Sequence, residues 1–104
     1  MEDLIRLLNK FTEDRDWGKF HTAPNLAQAV SIEAAELLEC FQWSKDPDKH
    51  SVRQEVADVM IYCLMLCHSM EINPEEAIRD KVILNGIKYP VEKARGNAMK
   101  WDEL

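Results

Sequence analysis

The sequence lacks the two features that would direct it to a membrane. None of its apolar runs reaches the roughly 20 residues that a membrane-spanning helix needs. Its first residues also do not combine a positively charged start with an apolar segment, which is the pattern of a signal peptide. We therefore expect a cytoplasmic protein without a membrane partner.

Basic residues are few as well. The 104 residues include 13 Lys and Arg against 19 Asp and Glu, a net charge of −6. A protein that binds nucleic acid polymers needs a basic face to neutralise their phosphates. The composition therefore argues against such a partner, while a small anionic substrate remains compatible with it if a cation mediates the contact.

The sequence lacks a CxxC pair. Cys40, Cys63 and Cys67 are odd in number and lie in apolar helical contexts. They are predicted to be reduced thiols in the core of a cytosolic protein. Zinc binding by Cys63, Cys67 and His68 is the disfavoured alternative, because the clusters of Asp and Glu described below favour magnesium or manganese.

Helical periodicity predicts an all-α fold, since no useful stretch alternates apolar and polar residues as a strand does. Thr22 and Asn73 are predicted caps, each followed by a proline in the first helical turn. The predicted helices run from Glu2 to Arg15, from about Pro24 to Trp43, from Ser51 to Met70, and from Pro74 to Gly86 or Lys88. We expect residues 1–104 to form a single domain, a bundle of four main helices followed by a short polar arm.

Carboxylates recur every third residue in the second predicted helix, at Glu33, Glu36 and Glu39. The third helix repeats this spacing with Glu55 and Asp58 in an otherwise apolar sequence. Residues three apart are neighbours on a helix surface, so these charges repel unless they are solvated or share a cation. Two acidic pairs on two helices predict one site for a hard cation between them.

The third helix is apolar around nearly its whole circumference between Val56 and Leu66. A chain of this length has too few other helices to cover every side of it. We therefore expect a homo-oligomer, a dimer or tetramer, that completes the bundle and buries Ile61, Leu64 and Met65 between subunits.

Several residues are candidates for a substrate site, and each has a plainer interpretation. Trp17, Phe20 and Trp43 can stack on a flat ring or simply belong to the core. His21 can bind a phosphate or a base edge, or merely be exposed. Tyr62 lies four residues after Asp58 and can face the same cavity. A polar stripe on the fourth helix can bind phosphate or face solvent, and it consists of Lys81, Asn85 and Lys88.

Taken in order, six short segments resemble the MazG-like nucleotide pyrophosphohydrolases, most closely their dCTP pyrophosphatase branch, over about residues 4–95. The segments are RDWGKFH at 15–21, PNLA at 24–27, ExxE at 33–36, FQW at 41–43, ExxDVMIY at 55–62 and KxxxNxxKYP at 81–90. The broader MazG pattern has a glutamate where this chain has Ile32. The dCTP pyrophosphatase branch also lacks that glutamate.

The resemblance implies an all-α, oligomeric, magnesium-dependent enzyme that splits (deoxy)nucleoside triphosphates into the monophosphate and pyrophosphate. It implies that the metal, Mg²⁺ or alternatively Mn²⁺, is held by the catalytic carboxylates of Glu33, Glu36, Glu55 and Asp58. It also implies a nucleotide pocket lined by Trp17, His21, Asn25, Trp43, Tyr62, Lys81, Asn85, Lys88 and Tyr89. We expect a house-cleaning enzyme that prefers pyrimidine deoxynucleotides such as dCTP.

Two alternatives remain open at the level of sequence. One is a nucleotidase of the dUTPase/dUDPase kind on a related helical scaffold. The other is a helical oligomerisation module that binds a nucleotide without hydrolysing it, against which the intact acidic pairs argue. Within the enzyme interpretation, Glu39 is either a general base or a solvated glutamate.

Overall fold

The computed structural model describes all 104 residues, and it contains helices and no strand. The all-α prediction with four main helices is therefore confirmed. The helices are α1 (Glu2–Asp14), α2 (Ala23–Glu39), α3 (Lys49–Ser69), α4 (Pro74–Lys88) and the short α5 (Val91–Ala94), with 3-10 turns at Gly18–Phe20 and Trp101–Glu103. No helix combines the length and the apolar character needed to cross a membrane.

Side-chain caps begin three of the four main helices. Both predicted caps are confirmed: the backbone N–H of Asn25 donates to Thr22 Oγ1 at 3.4 Å, and that of Glu76 donates to Asn73 Oδ1 at 3.0 Å. The third helix begins two residues earlier than predicted, because Asp48 caps it. Its carboxylate accepts hydrogen bonds from the backbone N–H and the hydroxyl of Ser51.

The prediction that the second helix continues to Trp43 is wrong, since α2 ends at Glu39. Backbone N–H groups of Cys40, Phe41 and Gln42 each donate to the carbonyl three residues earlier, at 3.0–3.2 Å. Such tight turns satisfy the last carbonyls of a helix while ending its α-helical register. Trp43 therefore lies in the turn after α2 rather than on the helical face of Glu36.

The chain divides into two compact units, Met1–Ile72 and Asn73–Leu104, which we describe separately. In the first unit α2 packs along α3, and α1 contacts α3. Leu26 is its fully buried apolar side chain, with 1 % of its surface exposed. The assignment of residues 1–104 to a single domain stays a prediction.

One further expectation is corrected by the structure. The cysteines are not buried core thiols: Cys63 is exposed, while Cys40 and Cys67 are half-buried. The predicted short polar arm at the end of the chain contains α5 and the turn at Trp101–Glu103. Local hydrogen bonds, such as Lys93 N–H to Pro90 O at 3.0 Å, order it.

Candidate metal centre and the adjoining cavity

The acidic pairs of α2 and α3 converge where these two helices pack together. One carboxylate oxygen from each of Glu33, Glu55 and Asp58 lies within 4.8 Å of the other two. Oxygens bound to one magnesium ion at about 2.1 Å are separated by at most about 4.2 Å. Small side-chain adjustments therefore suffice for the three residues to contact one cation.

Two oxygens of this cluster lack any partner. Glu33 Oε2 and Glu55 Oε2 are shielded from solvent, and neither accepts a hydrogen bond. Shielded polar atoms are nearly always paired in folded proteins, because losing water without a replacement is costly. A hard cation fits this donor set, since it would satisfy both oxygens and offset the clustered charge.

The protonation of the cluster reflects the same crowding. The side chain of Glu36, which can share a hydrogen bond with Glu33, is the largest cause that raises the pKa of Glu33 to about 7. Burial and the negative charges of Glu36, Asp58 and Glu55 raise it further. Burial is also the main cause that raises the pKa of Glu55, followed by the charges of Glu36 and Asp58. Glu33 therefore binds a proton more readily than an ordinary glutamate does, and a cation would compete with this proton for the same carboxylate.

Glu36 and Glu39 are not among the three converging residues, but both affect the pKa of residues in that cluster. Glu36 acts directly on both Glu33 and Glu55. The charge of Glu39 makes a smaller contribution that raises the pKa of Glu55. Four carboxylates predicted from the sequence therefore lie close together, and their role as metal ligands stays a prediction.

A cavity of about 370 Å³ adjoins the cluster, and Asp58 belongs to both. Its volume falls within the range of small-molecule sites, about 300–1,000 Å³. The wall is mostly apolar and aromatic, with a few polar groups. It is lined by Leu7, Leu8, Phe11, Trp17, His21, Asp58, Ile61, Tyr62 and Met65.

Trp17 and His21 form a polar aromatic part of this wall. The Trp17 ring meets Phe11 edge to face at 5.7 Å between centroids, and it meets His21 in the same way at 6.4 Å. His21 Nδ1 is shielded and has no hydrogen-bond partner. The cavity therefore offers an aromatic surface and an unpaired polar nitrogen to a flat, polar molecule.

The remaining predicted residues of the first unit do not line this cavity. Asn25 is exposed, and its Nδ2 donates to Phe20 O at 3.0 Å, so it ties the 3-10 turn to α2. The side chain of Trp43 is 90 % exposed in the turn after α2. Their proposed contacts with a substrate stay predictions.

Four predicted residues belong to the second unit. Lys81 and Asn85 are exposed on α4, whereas Lys88 in the last turn of this helix is half-buried. Tyr89 follows the helix and donates its backbone N–H to Asn85 O at 2.8 Å. Within this unit the polar stripe is thus accessible along α4.

Sequence reasoning missed the contribution of α1 to the cavity. Leu7, Leu8 and Phe11 line it, although their apolar spacing predicted only a helix face. Their periodicity identifies the face, but the neighbouring element can be known only from the packing. Sequence reasoning likewise missed a second cavity of about 270 Å³, which shares His21 and Met65 with the first.

Comparison with known proteins places these features in context. A model of the MazG-like family matches residues 28–104. The chain is 33% identical to dCTP pyrophosphatase 1 of Mus musculus and 32% identical to dCTP pyrophosphatase 1 of Homo sapiens, over 114 aligned positions in each case. Each alignment covers 100% of this chain and 67% of the relative.

A solved structure is also similar to this chain. The crystal structure of a pyrophosphatase from Archaeoglobus fulgidus superposes with a TM-score of 0.80 at 47% sequence identity. The superposition covers 86% of this chain and 92% of the other.

Proposed function

This chain belongs to the MazG-like family, and from that premise we propose that it is a nucleotide pyrophosphohydrolase that converts a (deoxy)nucleoside triphosphate and water into the monophosphate and pyrophosphate. The names of the relatives, dCTP pyrophosphatase 1 and a pyrophosphatase, support this reaction class. One observation carries the proposal for this chain. The converging oxygens of Glu33, Glu55 and Asp58 border an aromatic cavity of small-molecule size.

We assign the metal to Glu33, Glu36, Glu55 and Asp58, with Mg²⁺ as the natural ion and Mn²⁺ as a substitute. Carboxylate oxygens are the ligands that these hard cations prefer. When bound, magnesium supplies positive charge opposite the phosphates and lowers the pKa of a water molecule for in-line attack. The carboxylates would hold the ion beside the cavity, because Asp58 belongs both to the acidic cluster and to the cavity wall.

The nucleobase then occupies the cavity beside the acidic cluster. Trp17 supplies a stacking surface, while Tyr62 and the unpaired Nδ1 of His21 provide polar contacts. Stacking accepts every base, so a preference for pyrimidines must come from the size of the cavity and from its polar edges. Asn25 and Trp43, which do not line the cavity itself, are also assigned to contacts with the nucleotide. Lys81, Asn85, Lys88 and Tyr89 are assigned to the phosphates, where the lysines stabilise the departing pyrophosphate.

We further propose that the active protein is a homo-oligomer. The apolar side chains of α4 are exposed, with 61–73 % of the surface of Ile78, Val82, Ile83 and Ile87 accessible. In the first unit Leu7 is 63 % and Met60 is 57 % exposed. Apolar surface repeated along helices is typical of subunit interfaces. A second copy would cover these faces and supply Trp43 with a partner surface.

A panel of triphosphates tests the proposal. The protein is incubated with dCTP, dUTP, dATP, dGTP and dUDP in magnesium, and monophosphate, pyrophosphate and orthophosphate are measured separately. We expect monophosphate and pyrophosphate in equal amounts and the highest kcat/KM for dCTP. Stepwise release of orthophosphate would contradict the reaction, and equal kcat/KM for dATP, dGTP and dCTP would contradict the base preference. Preferred hydrolysis of dUDP and dUTP would favour the dUTPase-like alternative, and binding without hydrolysis would favour the non-catalytic one.

A further inference from the structure

Lys88, in the last turn of α4, has an aromatic partner that the proposed reaction does not use. Its Nζ lies 5.6 Å from the centroid of the Trp101 ring. None of the ion pairs of the structure involves Lys88. Its ammonium group is therefore held by a ring rather than neutralised by a carboxylate.

The segment that carries Trp101 is ordered by its own turns. Gly96 has a φ of +72°, which glycine adopts without the steric cost of a Cβ. Beyond it, Met99 N–H donates to Asn97 Oδ1 at 2.8 Å, and Glu103 N–H donates to Lys100 O at 2.9 Å. These contacts hold the 3-10 turn in which Trp101 lies.

In this contact the Lys88 ammonium group keeps its positive charge and its capacity to bind an anion. A ring attracts an ammonium group through its negative face, and the remaining N–H donors stay free. A carboxylate partner would instead cancel the charge. A lysine side chain also has several rotatable bonds, so holding it in place beforehand reduces the entropy lost when a ligand binds.

We infer that Trp101 is a positioning residue, whose ring holds the Lys88 ammonium ready for a phosphate group of the substrate or of pyrophosphate. This inference rests on the proposed function, in which Lys88 binds the phosphates. It extends the site to the C-terminal turn, which lies beyond the six segments that indicated the family. Trp101 itself touches Lys88 and not the substrate.

Nuclear magnetic resonance tests the contact without any reference to activity. The ε-methylene protons of Lys88 should be shifted upfield by the Trp101 ring current. The shift should disappear in Trp101→Ala, persist in part in Trp101→Phe, and remain unchanged in the control Met99→Ala, which alters an exposed side chain of the same segment. An unchanged chemical shift of the Lys88 ε-methylene protons in Trp101→Ala would overturn the inference.

Affinity for inorganic pyrophosphate in magnesium tests the consequence of the contact. Loss of one exposed cation–π contact should weaken pyrophosphate binding, and lower kcat/KM for the nucleotide, by about two- to fivefold. Trp101→Phe should recover part of the loss. In a Lys88→Met background, Trp101→Ala should have no further effect. A full effect in that background, or tighter binding in Trp101→Ala, would refute a positioning role through Lys88.

The two proposals fail in different ways. A protein that binds pyrophosphate but hydrolyses no triphosphate would contradict the proposed reaction, while the Lys88 resonance and the pyrophosphate affinity would still decide the role of Trp101. A protein that hydrolyses triphosphates with the same kcat/KM in the parent and in Trp101→Ala would contradict only the positioning role. Absence of pyrophosphate binding by the parent protein would count against both.

Discussion

The two compact units of the chain differ in how they distribute charge. Met1–Ile72 contains thirteen acidic and seven basic residues, so it carries the whole net charge of −6, whereas Asn73–Leu104 contains six of each. In the first unit, carboxylate oxygens of Glu33, Glu55 and Asp58 lie close together. In the second unit, α4 exposes apolar side chains and also carries Lys81 and Lys88. The comparison suggests two roles. In our proposal the first unit holds a cation, and the second contacts phosphate and another subunit.

The largest expected effect comes from neutralising one acid of the first unit. We expect Asp58→Asn to lower kcat by at least about 100-fold, because the charge stabilisation that a metal supplies to a phosphoryl transition state amounts to several kcal/mol. With a chelator present, the variant should be as stable as the parent or more stable, since one repulsive charge is gone. Magnesium should raise the melting temperature of the parent more than that of the variant.

Thermal melts with chelator and with millimolar magnesium check this expectation. Asp46→Asn is the matched control, because it makes the same change at an exposed residue of the loop between α2 and α3. It should leave activity and the magnesium-induced shift unaltered. Equal shifts in the parent and in Asp58→Asn would mean that Asp58 does not bind the metal.

A charge on the apolar face of the second unit should break the proposed assembly. Ile83 is 67 % exposed on α4, and burial of an isoleucine is worth about 1.5–3 kcal/mol. Ile83→Glu should therefore weaken association by about tenfold or more for each copy of the interface. Sedimentation at micromolar concentration measures the change, with Ala77→Glu as the control, because Ala77 is exposed on the opposite face of the same helix. A parent protein that sediments as a monomer would refute the assembly itself.

The smallest expected effect is the pH dependence of the stability of the first unit. Because the pKa of Glu33 is raised from 4.5 to about 7, the folded protein binds a proton that the unfolded chain has lost between these values. Its stabilising effect is complete below pH 4.5 and disappears as the pH rises through about 7. The metal-free protein should therefore lose stability over this range.

Metal binding should show the opposite dependence. Magnesium competes with the proton on Glu33, so its apparent affinity should rise by up to about tenfold per pH unit below pH 7 and then level off. Calorimetric titrations from pH 5.5 to 8 measure this change. The dependence should be weaker in Glu33→Gln, which cannot bind the proton. A flat profile in the parent protein would contradict the assignment of Glu33.

The acidic cluster shows why part of the site was predictable. A three-residue spacing places Glu33 beside Glu36, and Glu55 beside Asp58, in any α-helix, so each pair is a local property. Their meeting required only that α2 and α3 pack side by side. His21 and Trp17 were singled out by residue type, and their place in the cavity wall followed from the packing of α1 and the 3-10 turn.

Trp43 and Trp101 show the limits of the same reasoning. Helical periodicity placed Trp43 on the face of Glu36, but turns that follow Glu39 end this register. Trp101 was assigned to a polar arm, because nothing in the spacing of thirteen residues between it and Lys88 indicates a contact. A turn of positive φ at Gly96 intervenes, and its effect on distant residues depends on every dihedral angle between them.

The sequence by itself determined the all-α class, the capped starts of α2 and α4, and the acidic pairs. Capping hydrogen bonds, proline geometry and helical repeats act over a few residues, so they can be derived from local spacing. The tertiary structure alone decided which oxygens converge, which oxygens lose water without gaining a partner, and which side chains enclose the cavity. These properties depend on contacts between helices that are far apart in the chain. The neighbouring Glu36 on α2 is the largest cause that raises the pKa of Glu33, while burial and the charges of Asp58 and Glu55 on α3 raise it further.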